Sequence, residues 1–171
     1  MKLSTFIIAA SAVVASGISQ AAAQESSYTR HKYDTCAKTE SPEPGIIEVH
    51  RCPGKAGIAV HWIFEPDSSS VSFGENPLDE ALDIGAAFEV GSTIEWRSAR
   101  KGGTPIAAIV RYRAGAGITH LTKSVLVVYR LEPSGASCVM AVLGPDGNQA
   151  RRVIDQHAQS FVCGKSSRVR G

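Results

Sequence analysis

The sequence predicts an α+β domain: a twisted antiparallel sheet of about six or seven strands, one C-terminal helix packed on it, and two disulfides. Three observations carry this. Short apolar runs alternate at period two, the mark of strands with a buried face. Pro, Gly and Ser clusters separate them as turns. A single stretch near the C-terminus has helical spacing instead.

The elements follow in order. Glu25 to Pro44 is polar and reads as an irregular N-terminal segment. Ile46 to Arg51 is a first strand. Cys52-Pro53-Gly54 should turn sharply, because Pro presets φ and Gly accepts positive φ. In Gly57 to Phe64, Ile58, Val60, Trp62 and Phe64 share one face, and Ala59, His61 and Ile63 the other. Pro66-Asp67 leads to Ser69 to Phe73, a hairpin partner. Glu75 to Ser92 reads mostly as loop: Leu78, Ala81 and Leu82 allow a helical turn or two, but Gly85 and Gly91 stop more. Thr93 to Ser98 is strand, with Ile94 and Trp96 inward and Glu95 and Arg97 outward. Lys101-Gly102-Gly103 turns into Pro105 to Arg113, where Ile106, Ala108, Val110 and Tyr112 share a face. Ser124 to Leu131 is apolar on both faces, so both should be covered. Pro133-Ser134-Gly135 turns into the last strand, Cys138 to Leu143.

Asp146 to Phe161 predicts the helix. Asp146 can cap it, and Gln149 three residues on completes a capping-box pattern. Ala150, Val153, Ile154, His157 and Phe161 form the apolar stripe, Arg151, Arg152, Asp155 and Gln159 point away, and Gly164 ends it.

Residues 1–23 read as a secretory signal peptide. Lys2 supplies a positive start, Phe6 to Ile18 an apolar or small-residue stretch, and Ala21-Ala22-Ala23 a small-residue cleavage site. The stretch is too short, and too rich in Ala, Ser and Gly, to span the ~30 Å of bilayer hydrocarbon. The organisation that follows is a signal over 1–23, one disulfide-bonded β-rich domain over 24–164 and a basic tail over 165–171, with no membrane span in the mature chain. The tail should be frayed and solvated. Net charge is +2, which gives no ground for a nucleic-acid partner.

Cys36, Cys52, Cys138 and Cys163 all follow the signal. An even count in an exported chain argues for two disulfides. Of three pairings, Cys36–Cys52 and Cys138–Cys163 is preferred, each pair being close in sequence. Zinc-ligand and redox spacings are absent, so no metal or cofactor is expected.

No G-x-S-x-G, H-E-x-x-H or phosphate-binding loop occurs. His31 and His120 should be exposed, and His157 half-buried on the helix. The binding candidates are Glu95, Arg97, Arg111 and Arg113, which alternate outward beside Trp96 and Tyr112. Ordinary cross-strand ion pairs explain such a face. An Arg-lined patch for an anionic ligand or an acidic partner loop is the functional alternative.

The run Cys52-Pro53-Gly54-Lys55-Ala56-Gly57-Ile58-Ala59-Val60, followed by Ser70-Val71-Ser72-Phe73-Gly74 and Ile94-Glu95-Trp96-Arg97, resembles a family of small uncharacterised exported (periplasmic) proteins of alphaproteobacteria. Tyr28-Thr29 ahead of Cys36, and the late Cys138 and Cys163, fit the same layout. Lys55 stands where an aromatic is common in that family, and Glu65-Pro66-Asp67 only partly matches its usual turn. The resemblance implies a periplasmic home and supplies no activity.

The expected function is therefore an exported, non-catalytic binding or interaction module, periplasmic or secreted. Its partner would be another periplasmic protein or an anionic ligand, with inhibition of a cell-envelope enzyme as one version. An enzyme is the alternative: His61 near Glu65 and Asp67 would serve as a general base if a carboxylate or hydroxyl orients it. A structural envelope protein is the third reading.

Overall fold

The computed structural model describes residues 24–75 and 80–170. The signal segment over 1–23, and Leu78 of the expected helical turns, lie outside the described residues.

Nine strands occur among the described residues. They are β1 (Glu25–Arg30), β2 (Ala37–Lys38), β3 (Glu48–Pro53), β4 (Ala59–Phe64), β5 (Ser69–Phe73), β6 (Ala87–Ser98), β7 (Pro105–Gly115), β8 (Lys123–Leu131) and β9 (Ser137–Leu143), followed by helix α1 (Gly147–His157). They make two antiparallel sheets, β1-β6-β7-β8-β9 and β2-β3-β4-β5, and not the single sheet expected. Periodicity reports which face of a strand is buried but not which neighbour it pairs with. The chain changes sheet twice, between β1 and β2 and between β5 and β6, and neither crossing leaves a periodic trace.

The result is three layers. Val60, Trp62, Val71 and Phe73 of the smaller sheet pack on Ile94, Trp96, Val110, Tyr112, Val127 and Tyr129 of the larger. The opposite face of the larger sheet offers Ala107, Ile109, Leu126 and Val128 to Ala150, Val153, Ile154 and Phe161. The middle sheet is thus covered on both sides, as the two-faced apolar pattern of β8 requires.

Several local expectations change. β1 forms in the polar N-terminal segment, where the sequence reads as irregular. It pairs along its whole length with β6, from Glu25 opposite Ser98 to Arg30 opposite Thr93. Its residues are polar because they meet a sheet edge and its hydroxyls do the packing: Thr29 accepts a 2.8 Å hydrogen bond from the Trp96 indole and lies 2.7 Å from His31 Nε2. β6 begins at Ala87, six residues before the strand expected from Thr93. A bulge hides it: four steps from Val90 to Ile94 oppose two from Tyr112 to Val110. Gly91 sits in that bulge, and a Cβ there would stand 3.0 Å from the Arg111 carbonyl.

The turn after β3 also differs. Positive φ falls at Ala56 and Gly57, not at Gly54. Gly54 is needed for space instead: its Cβ would press on the Ile58 carbonyl and lie 2.9 Å from the Trp96 ring. The free edge of β5 is closed by side chains of the facing sheet. Val71 N–H donates to the Tyr112 hydroxyl at 3.1 Å, and the Ser137 hydroxyl donates to the Phe73 carbonyl at 2.8 Å. Tyr112 and Tyr129 share a 2.7 Å hydrogen bond in the dry core, where burial pushes the Tyr112 phenol up to about 12.

Both expected disulfides form. Cys36–Cys52 spans 5.0 Å between Cα atoms, and Cys138–Cys163 spans 5.7 Å. The helix ends at His157, short of Phe161, which lies just past the following turn. Asp146 caps it by accepting from Asn148 N–H at 2.8 Å. The tail is docked, not frayed. Val169 N–H donates to the Met140 carbonyl at 2.8 Å, covering part of the β9 edge, and Arg168 pairs with Glu80 and Asp83.

Candidate functional site

The four binding candidates do not form one open patch. Glu95 and Arg97 point outward from β6, but α1 lies over them. Arg151 grips Glu95 with two bonds of 2.6 and 2.9 Å, and Arg97 grips Asp155 with two of 2.9 and 2.6 Å. The geometry follows from two periods. Residues two apart on a strand and four apart on a helix each repeat on one face. A Glu-x-Arg strand therefore matches an Arg-x-x-x-Asp helix, charge against countercharge. The sequence pattern places Arg151 and Asp155 facing away from the sheet; the structure turns both onto β6. Arg111 and Arg113 stay exposed on β7. Arg111 donates to the Ser124 hydroxyl and the Pro145 carbonyl, and Arg113 to the Leu121 carbonyl.

Glu95 also accepts from the Ser26 hydroxyl at 2.5 Å. Burial alone would raise its carboxyl, but the hydrogen bonds from Arg151 and Ser26 and the Arg151 charge outweigh that and hold it below its ordinary 4.5. A carboxylate favoured by folding adds stability above its unfolded value and loses it as pH falls through the lower folded one. Replacing Glu95 by Gln should therefore cost about 1–2 kcal/mol at neutral pH. It should also flatten the fall of melting temperature between about pH 5 and 3. Thermal melts across pH test this; parallel acid profiles for the two proteins would refute it.

The arrangement required for His61 to act as a base does not form. The ring is buried, its Nε2 lies 3.0 Å from the Gly74 carbonyl, and Nδ1 has no partner. Glu65 instead accepts from the Ser68 hydroxyl. His31 is buried as well, 5.6 Å from the Trp62 ring, and burial lowers its pKa. His50, also buried, pairs with Glu48. Among the described residues no group of three or more His, Cys, Asp or Glu could hold a metal ion, and no helix is long and apolar enough to cross a membrane.

A concave feature lies elsewhere. A cavity of about 840 Å³ runs from the outer face of the smaller sheet around β5 to the gap between the sheets. Val49 and Ile63 line one end, and Val71, Leu82, Phe88 and Val139 the other. Five carboxylates line it: Glu40, Glu43, Glu65, Glu80 and Asp83. Glu80 is fixed, accepting from Val139 N–H at 2.7 Å and from Arg168 at 3.0 Å. Sequence reasoning missed this site because it is assembled from the 40–47 loop, the β5 edge and the residues after 79. The acidic residues near Pro42 and Pro44 were the one available signal.

Comparison of the chain with family models, with curated proteins and with solved structures finds no match to any of them. The site must be read from its own geometry.

Proposed function

We propose that the chain is an exported, non-catalytic binding module that takes a small ligand in the cavity beside β5. The observation that carries the reading is the cavity itself. At about 840 Å³ it is within the common size range of small-molecule sites, roughly 300–1,000 Å³. Its lining favours holding over reacting. Among the described residues it has no histidine or lysine, and Cys138 enters it only as half of a disulfide. A periplasmic home is part of the proposal, supported by the signal-like segment over 1–23, the two disulfides and the family resemblance.

A fragment library of mixed charge, screened by amide NMR on the oxidised protein, tests the reading. Fragments that bind should shift the amides of Val71, Ser72 and Val139 together. Shifts scattered over the surface, or none at these amides, would overturn it.

A further inference from the structure

The edge of β9 carries an inference that does not depend on the cavity. An edge strand presents unpaired N–H and C=O groups, ready to pair with another strand. On β9 two of these groups are met from outside the sheet. Val139 N–H donates to Glu80 at 2.7 Å, and the Met140 carbonyl accepts from Val169 N–H at 2.8 Å. Val169 thereby lies parallel to Ala141, the stub of a further strand, one residue long among the described residues.

The tail is held at alternate positions. Val169 packs half-buried on the apolar layer under α1. Arg168, one step earlier, turns to the opposite face, as strand neighbours do. There it donates to Glu80 at 3.0 Å and to the Ala81 carbonyl, with Asp83 at 3.7 Å. Glu80 is fixed for this task by its own bond to Val139 N–H. Main-chain pairing plus slots for alternate side chains is how sheet edges recognise extended peptides. The hold is slight. A gap of about 520 Å³ remains between the tail and Leu82, Asp83 and Val142. Ser166, Ser167 and Arg170 are exposed. The groove is wider than the segment lying in it.

We propose that the β9 edge is a docking groove for an extended basic–apolar segment of a partner protein, occupied in cis by the chain's own tail. The partner segment carries an Arg followed by an aliphatic residue, runs parallel to β9 and displaces the tail. Its Arg enters the slot formed by Glu80, the Ala81 carbonyl and Asp83, and its aliphatic residue meets the apolar layer under α1. A tethered segment acts at an effective concentration in the millimolar range. The tail therefore sets the threshold a partner must exceed, and a segment longer than the tail also fills the gap beside Val142.

The probe is a capped peptide copying residues 166–171, titrated into the oxidised chain and followed at the amides of Ala141 and Val142. In the Arg168→Glu/Val169→Pro chain the tail is repelled by Glu80 and lacks the N–H that the Met140 carbonyl accepts, so the groove stands open. The peptide should bind that chain about tenfold tighter than the native one, whose groove is already filled. The same peptide carrying Arg168→Glu or Val169→Asp should bind several-fold more weakly. Equal binding to the native and released chains, equal binding of the three peptides, or no shift at Ala141 and Val142 would overturn the proposal. Hydrogen exchange on the native chain is a second measure, independent of how the released chain folds. The Val169 amide should exchange at least about a hundredfold faster than that of Val127 in β8. Equal protection would make the tail part of the core and overturn the proposal too. None of these results touches the cavity reading, which is followed at Val71, Ser72 and Val139.

Discussion

Replacing Trp96 with alanine is expected to remove about 3–5 kcal/mol of stability, the range for emptying a buried tryptophan site. The side chain is fully buried at the meeting point of both sheets. It packs edge-on to Phe73 at 5.4 Å, and Phe73 in turn meets Tyr129 at 5.1 Å. Gly54 approaches the ring so closely that even a methyl group there would crowd it. Such a site cannot collapse, because its walls belong to two hydrogen-bonded sheets. The indole N–H also ties β1 to the core through Thr29. Trp96→Phe should recover most of the loss while leaving Thr29 with His31 alone. Urea unfolding followed by circular dichroism measures both, and a loss under about 1 kcal/mol for alanine would contradict this packing.

Removing the disulfides should cost about as much. Cys36–Cys52 closes a separation of 16 residues and Cys138–Cys163 one of 25. In the chain-entropy account each is worth about 3 kcal/mol, the longer slightly more. Together they rival the ~5–15 kcal/mol that typically holds a domain folded. The first bond joins the segment entering β2 to the core strand β3, close to where the chain crosses from one sheet to the other. The second fastens the turn after α1 to β9. There Glu132 also accepts from Cys163 N–H at 2.8 Å, and Arg130 from β8 donates to the Phe161 carbonyl. Urea midpoints should fall for Cys36→Ala/Cys52→Ala and for Cys138→Ala/Cys163→Ala, and most under reductant. Unchanged midpoints would show that neither bond constrains the unfolded chain.

These two features were legible to different degrees. The inward alternation of Ile94 and Trp96 is direct, because a half-buried strand repeats every two residues. The disulfide pairs follow from proximity in sequence, and the helix stripe from its spacing. What periodicity does not encode is partnership between distant segments. β1 is Ser- and Thr-rich, so nothing apolar announces that it completes a sheet. Glu95 and Arg97 read as a solvated face because α1, which covers them, lies over fifty residues away. The cavity is hidden for the same reason. Ser72, Glu80 and Arg168 belong to separate stretches, and only tertiary structure gives Arg168 its task. The single-sheet expectation failed at the two crossings, where turn residues mark a change of direction but not a change of layer.

The docked tail has a practical consequence. Arg168 reaches across to Glu80 and Asp83 while Val169 lies along β9, so the last residues of the chain run beside the cavity mouth. Anything attached at Arg170, the last described residue, would sit near there. A C-terminal purification tag rich in histidine would bring cationic groups toward an acidic opening and compete with added compounds. A cleavable tag removed before titration, or a fluorophore placed there on purpose, would turn the same proximity from an artefact into a reporter of occupancy.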